Sequence, residues 1–399
     1  MNLLVLEPTL SGHHENYLVR IVTGALGYGH QVTIGTTPEC GERLKGLFGT
    51  KVTVVEMDLT EGCKSFGGRF SNPIRERAFR SYFGRLNGLA SQKRRFDLIF
   101  LPYLDYCIHA IGALGSPFGP TPFEGICMRA SFHFEAMGIL APTSKFKSLR
   151  EWVFSRFLRT AGLRRLFTID ESLSSYSAKK NVPGWDKVFY LPDPCDEVTP
   201  GDYSQEAALL GIPRNAKTIL VYGSIDGRKG IHALINAAVA LMPVIPLNVL
   251  LAGEQTSVAR DILLSPQAKI LSGAGMLWQW DRRISESEES ALFSSADIVW
   301  LGYLGHLGMS GVLVKAAQFG KPVLGCREGL IGWYTSRYEL GQVADISDAN
   351  DVVESVKNIF LRPAFETKAG IFQGHNWGGA IKKIFAEDKS LSVNTGIAP

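Results

Sequence analysis

Short apolar runs alternate with stretches of helical periodicity along the whole chain. "NLLVLEP" reads as a buried strand, "ENYLVRIVTGALGYGH" as an amphipathic helix ending in glycines, and "QVTIGTT", "KVTVVEM" and "FDLIFLPY" as further strands. Short Val/Ile/Leu strands spaced by helices predict βαβ units and a parallel sheet, with right-handed crossovers placing helices on both faces. The pattern restarts after about residue 165. "LFTID" reads as a strand, "ESLSSYSAKK" as a short helix, and "KVFYLPDPCDEVTPGDYSQ" as a Pro/Asp-rich connection. "KTILVYGSI", "LNVLLAGE", "AKILSGAG", "ADIVWLGY" and "KPVLGC" follow as candidate strands with helices between them. The pattern predicts an α/β chain of two doubly wound parallel-sheet domains in tandem, sharing architecture but no sequence repeat. The expected division is 1–170, 171–380, and a helix end with a flexible tail at 381–399. Ligands bind such sheets at the carboxyl ends of strands, and two such edges are expected to face each other across a cleft.

Composition sharpens this only slightly. At 399 residues the chain exceeds what a single core supports, so two domains are the default. A formal net charge of +4 is too small to point to nucleic acid. Six cysteines stand singly, without metal-ligand spacing, so reduced thiols in a cytoplasmic protein are expected, and no metal site. The first apolar run lacks a charged leader and reads as a strand, not a signal peptide. No window approaches 18 uncharged apolar residues.

Two basic stretches stand out. The segment 145–167, "KFKSLREWVFSRFLRTAGLRRLF", carries Lys145, Lys147, Arg150, Arg156, Arg159, Arg164 and Arg165 against one acid, Glu151. Phe146, Leu149, Trp152, Val153 and Phe157 fall at helical spacing in it. Such a helix either faces a core with a solvated basic side or lies on an anionic membrane surface. The second stretch, Arg69 to Arg95, reads as a solvated face.

The strongest chemical signal is "ILVYGSIDGRKGIHALINA" at 219–237. A buried strand ends at Tyr222-Gly223-Ser224, and Arg228-Lys229-Gly230 opens a helix. Two cations beside a helix N-terminus at a strand's carboxyl end suit a diphosphate. In "LGYLGHLGMSGVLVKAAQFGKPVLGCREG" (301–329), Gly308, Ser310 and Gly311 present amides and a hydroxyl at another helix start. Near the N-terminus "LLVLEPTLSGHHENY" follows a strand with Gly12, His13 and His14. Gly12 lets backbone approach a ligand, and an imidazole there can bond a phosphate or orient a hydroxyl near neutral pH.

Together these stretches resemble the retaining GT-B glycosyltransferases, in particular glycosyltransferase family 4, which is built from two Rossmann-like domains facing a cleft. "GSIDGRKGI" is similar to the family's "GR-x4-KG" loop, with Lys229-Gly230 in place, and "GMSGVLVKAAQFGKPVLG" to its "EGFG-x4-EA-x3-G-x-PV" string. The opening strand, glycine loop and "GHQV", the interdomain "YLPDPCDEV", "LNVLLAGE" with Glu254, and "ESEESALFSSADIVWL" also fit. The N-terminal half matches loosely between residues 40 and 160. Two departures stand out: the family's phosphate-binding arginine falls on Ser224, and its paired glutamates fall on Leu307 and Lys315. Lys315 cannot accept from ribose hydroxyls as a carboxylate does.

The resemblance implies metal-independent, retaining transfer of a sugar from a nucleoside-diphosphate-sugar co-substrate to a hydroxyl acceptor, a glycan or glycolipid precursor, with no other cofactor. Gly12, His14, Ser224, Arg228, Lys229, Glu254, Gly308, Ser310, Gly311 and Lys315 are the expected donor-binding residues. His13, Arg129, Glu124 and Lys229 are the catalytic candidates; Arg129 and Glu124 stand nearest the position where the family places an acceptor-side histidine, and His109 and His133 are off register. The expected location is cytoplasmic, peripheral to the inner face of a membrane through 145–167. The alternatives are a catalytically inactive nucleotide-sugar-binding scaffold and, less favoured, a sugar-nucleotide epimerase.

Overall fold

The computed structural model describes residues 1–64, 72–196, 208, 210–212, 216–361, 372 and 374–386. The chain divides into two compact units. One comprises residues 1–133, 143–192 and 377 onward; the other comprises 134–142 and 193–376.

The first unit carries a seven-stranded parallel sheet in the order β3-β2-β1-β4-β5-β6-β7. Its strands are β1 (Asn2–Leu6), β2 (Gln31–Thr36), β3 (Val52–Glu56), β4 (Leu98–Leu101), β5 (Phe123–Cys127), β6 (Leu163–Thr168) and β7 (Val188–Tyr190). Leu3, Leu4 and Val5 of β1 are fully buried, as a strand covered on both faces requires. "LFTID" therefore belongs to this sheet as part of β6, and the connection after it contains β7. The passage between units falls at Pro192–Asp193, beyond residue 170.

The helix Trp377–Phe385 also belongs to the first unit, where Trp377 meets Tyr17 edge to face at 5.0 Å. It packs so closely on the helix His13–Gly27 that a Cβ on Gly24 would come within 2.5 Å of Ile381. Arg165 on β6 donates to the carbonyls of Lys383 (3.3 Å) and Ile384 (2.7 Å) at its end. The remainder of the tail expected at 381–399, from 387 onward, lies outside the described residues, as does Arg69.

The second unit carries a six-stranded parallel sheet in the order β10-β9-β8-β11-β12-β13. Its strands are β8 (Lys217–Tyr222), β9 (Leu247–Ala252), β10 (Leu277–Trp280), β11 (Ile298–Leu301), β12 (Val323–Cys326) and β13 (Gly341–Ala344). The run "AKILSGAG" is not a strand. Ser265 caps a helix over Pro266–Gly273 by accepting from the amide of Ala268, and Pro266 sits in its first turn, where proline is tolerated. The strand is the next segment, "LWQW".

All six cysteines are free and buried. Burial pushes the Cys195 thiol to about 12 and that of Cys326 to about 11, so neither is reactive at neutral pH. Among the described residues no helix is long and apolar enough to cross a membrane.

Candidate functional site

Each sheet has one place where strand order reverses, and a doubly wound sheet opens a crevice there at its carboxyl edge. In the second unit it lies between β8 and β11, the strands that lead into the Gly-Arg-Lys loop and the glycine loop of 301–329. β8 stops at Tyr222 and the chain turns at Gly223, φ +90°. A Cβ on neighbouring Gly253 would lie 2.1 Å from the Gly223 carbonyl, so these two backbones touch. The amide of Ile225 bonds the Glu254 carbonyl (2.8 Å) and that of Thr256 the Ile225 carbonyl (3.0 Å). Glu254 thus contributes backbone, and its side chain and that of Ser224 are exposed.

Asp226 orders the following 3-10 turn, Gly227–Lys229. It accepts from the amide of Arg228 at 2.9 Å and from its guanidinium at 2.8 and 2.6 Å. Arg228 is exposed and already paired, so its charge is partly satisfied within the loop. Gly230, at φ +61°, presses on β11: a Cβ there would sit 2.1 Å from the Gly302 carbonyl. Trp300, fully buried in β11, donates to the Lys229 carbonyl at 2.7 Å.

The Lys229 side chain is 9% exposed. Its ammonium donates to the Tyr222 carbonyl at 2.8 Å and the Tyr303 hydroxyl at 2.6 Å. No carboxylate pairs with it among the described residues. Two neutral oxygens leave a nearly buried cation uncompensated, and buried charges ordinarily require a counter-charge.

On the same unit the helix Gly311–Gln318 begins at Ser310, which is buried but makes no side-chain cap bond. Space is open around Gly311, and Gly308 is half-buried. Lys315, on this helix, is not unpaired. It bonds Glu289 of the helix Glu286–Ser295, and the other carboxylate oxygen of Glu289 accepts from Tyr222. Burial and Glu289 together push the Tyr222 phenol well above its ordinary pKa.

In the first unit the reversal lies between β1 and β4. Glu7, just past β1, is completely buried. Its Oε1 accepts from the Thr9 amide (3.4 Å) and Tyr106 hydroxyl (3.3 Å), and its Oε2 lies 3.3 Å from His14 Nδ1 without hydrogen-bond alignment. Burial raises the Glu7 pKa, against the lowering influence of His14. His14 also meets the Tyr106 hydroxyl at 3.4 Å, closing a three-membered ring of acid, imidazole and phenol.

Gly12 caps the helix His13–Gly27 with φ +60° and open space beside it. His13 stacks on His14 at 4.5 Å and borders Tyr103 at 5.7 Å. His13 stands exposed at the helix start, yet desolvation by the groups around it, then the charges of His14 and Arg129, push it down to about 4. Arg129 spreads its guanidinium over Tyr103 at 5.4 Å. Asp105 accepts from the amides of Met128 (2.8 Å) and Arg129 (2.9 Å) and so fixes the end of β5.

Gly12, His13, His14 and Arg129 therefore come together. Glu124 does not join them. It lies near the amino end of β5, at the far side of the sheet, fully buried in a two-pronged pair with Arg165 (2.9 and 2.8 Å). Of the off-register histidines, His133 is fully buried and bonds Asp170 (3.0 Å) and Ser172 (2.9 Å), and His109 bonds Glu76 at 2.9 Å. Sequence reasoning missed Glu7, Tyr103, Asp105 and Tyr106 on one edge and Tyr222, Glu289 and Tyr303 on the other. Only Glu7 carried a signal, as an acid ending an apolar strand.

The sequence matches no protein-family profile, and no curated protein is significantly similar to it. Solved structures are similar in fold. Sucrose-phosphate synthase from Thermosynechococcus elongatus superposes with a TM-score of 0.67 at 14% identity, over 98% of this chain and 99% of that one. A glycosyltransferase from Rickettsia africae gives 0.65 at 13%, over 99% of both. HepE of Anabaena, solved in complex with UDP, gives 0.65 at 16%, over 96% and 98%. The chain shares with these proteins its fold, two parallel-sheet α/β domains of the GT-B type.

Proposed function

We propose that this chain is a glycosyltransferase that moves a sugar from a nucleoside-diphosphate-sugar to a hydroxyl acceptor, a glycan or glycolipid precursor, with retention of configuration. The observation that carries the reading is Lys229, a nearly buried ammonium with only neutral oxygens around it, at the reversal point of the second sheet. Dianionic phosphate supplies the counter-charge this lysine lacks.

In the reaction the bond from the anomeric carbon to the diphosphate breaks, and its electron pair stays on the phosphate oxygen. Charge grows there in the transition state, so a fixed cation lowers the barrier. Lys229 supplies it, Arg228 adds to it on exchanging Asp226 for phosphate, and the open amides at Ser310–Gly311 face the same negative charge. Cations and helix ends do here what a metal does elsewhere. The sugar passes through an oxocarbenium-like state, and the acceptor oxygen forms the new bond on the face the diphosphate leaves, giving its proton to the His14 imidazole. The first edge, with His14 held between Glu7 and Tyr106, binds and orients that hydroxyl.

Structures similar in fold support the donor class: HepE was solved with UDP and with UDP-glucose, and a trehalose-6-phosphate protein of E. coli with UDP-2-fluoro glucose. The test is a thermal-shift series with UDP, GDP, ADP, CMP and dTDP and their sugars. A ligand bound only by the native state must raise its melting temperature. One nucleotide diphosphate is expected to do so, and its sugar to be consumed only with acceptor present. No shift with any of them sinks the donor site, and consumption without acceptor points to an epimerase. Binding without turnover across acceptors identifies a scaffold.

A further inference from the structure

The helix Lys147–Leu158 is apolar on two faces. Phe154, Phe157 and Leu158 are buried against the first unit and account for its packing. Phe146 is 64%, Leu149 54% and Trp152 53% exposed, although sequence spacing alone suits them to a core. Leu149, Trp152, Arg156 and the C-cap Arg159 recur at i, i+3, i+7 and i+10, which puts them on one stripe of the helix surface, and Lys145 stands in the turn just before it. A single exposed leucine is ordinary; an aromatic and two further large apolar side chains in one stretch, rimmed by cations, mark a contact surface.

We propose that this stripe seats on the surface of an anionic lipid bilayer. The charge pattern selects the occupant. Glu151 is the sole acid between residues 145 and 159, and it is turned away, bonded to Lys180 and to the Tyr176 hydroxyl at 2.6 Å each. The outer face is left cationic. No carboxylate pairs with Lys145, Arg150, Arg156 or Arg159 among the described residues. A second copy of the same stripe would set like charges face to face. A bilayer offers both missing partners, anionic headgroups for the cations and an acyl boundary for Phe146, Leu149 and the Trp152 indole. The geometry is already set for such a contact. Arg156 lies over the Trp152 ring at 5.1 Å and is anchored by its Nε to the Gly112 carbonyl at 3.2 Å, so stem and ring stand together. This inference does not depend on the transfer reaction.

The test is flotation of the full chain with vesicles of equimolar phosphatidylcholine and phosphatidylglycerol, against phosphatidylcholine alone, at low and high salt. Wild type is expected to float with the anionic vesicles at low salt and to be released by salt, because headgroup attraction acts within about 10 Å at 0.1 M. The triple change Phe146→Ser, Leu149→Ser, Trp152→Ser is expected to weaken partitioning at least ~tenfold, since it deletes the inserting surface. Lys145→Glu with Arg159→Glu is expected to do the same by charge alone, which covers the case in which the triple variant folds poorly. Absence of wild-type flotation at low salt overturns the proposal. So does undiminished binding by both variants, or a self-association in sedimentation that the triple variant abolishes while lipid is ignored.

Discussion

The two sheet edges share a topology and differ in chemistry. At the β8/β11 reversal the chain is rich in glycine, the backbones touch, and a lysine waits without a counter-ion. At the β1/β4 reversal four aromatic or imidazole rings crowd a buried carboxyl group, and His13 is pushed below its ordinary pKa. The first arrangement suits a fixed anion. The second suits an uncharged hydroxyl and the traffic of a proton. One topology thus supplies two kinds of site, because the loops that leave its strands are free to vary while the strands are not.

The largest effect is expected away from both edges. Glu124→Ala leaves the part-buried guanidinium of Arg165 with the Lys383 and Ile384 carbonyls alone, and breaking a buried ion pair costs about 3–5 kcal/mol. Chemical denaturation measures it, and nucleotide affinity is expected to be unchanged. A specific loss of turnover at full stability would instead put Glu124 in the reaction.

His14→Ala sharpens the contrast. Transfer is expected to fall ~100-fold or more, the lower end for a positioned proton-transfer group, with donor affinity intact. Glu7→Gln is expected to share this phenotype and to shift the pH dependence of kcat, because Glu7 acts through the imidazole. If both variants weaken nucleotide binding instead, the two edges are not divided by chemistry as described.

Lys229→Ala is expected to weaken nucleoside-diphosphate binding by about 1.5–3 kcal/mol, the range for a charged hydrogen bond, in a calorimetric titration. Unchanged affinity removes the phosphate assignment. Glu289→Gln releases Lys315 from its carboxylate and is expected to change nucleotide affinity by about 1 kcal/mol or less, against a background of local rearrangement.

Acid acts on both units, since His13 in the first and His375 in the second are each pushed down to about 4. His375 of the second unit is 5% exposed, and burial pushes it down to about 4, against a bond to the Asp193 carbonyl at 3.1 Å. A folded-state pKa below the unfolded 6.5 means the unfolded chain binds more protons between pH 6.5 and 4. Stability of that unit is therefore lost as pH falls through this window and levels off below it. His375→Gln is expected to flatten that slope in melts taken at pH 7, 6 and 5.

The strands that form both edges were legible because they are short, apolar and largely buried on both faces, so length and composition agree. "AKILSGAG" misled because an apolar run of that length is ambiguous, and Ser265-Pro266 decided for a helix. The Gly-Arg-Lys loop was legible because its parts are adjacent in sequence. Tyr303 was not, since it meets Lys229 across 74 positions and nothing local marks it. Glu289 sits in a helical turn with Glu286 and Glu288, and only the fold reveals which acid turns toward Tyr222 and Lys315. Glu124 was misplaced because an alignment locates a residue near a strand without saying at which end.

The helix Trp377–Phe385 has a bearing on how the protein is made. The first unit is the earlier to leave the ribosome, yet one of its packing surfaces, against Gly24 and Tyr17, is supplied by residues translated after the whole second unit. Until then Arg165 lacks the two carbonyls it will cap. The first unit is therefore completed only after the whole of the second has been synthesised.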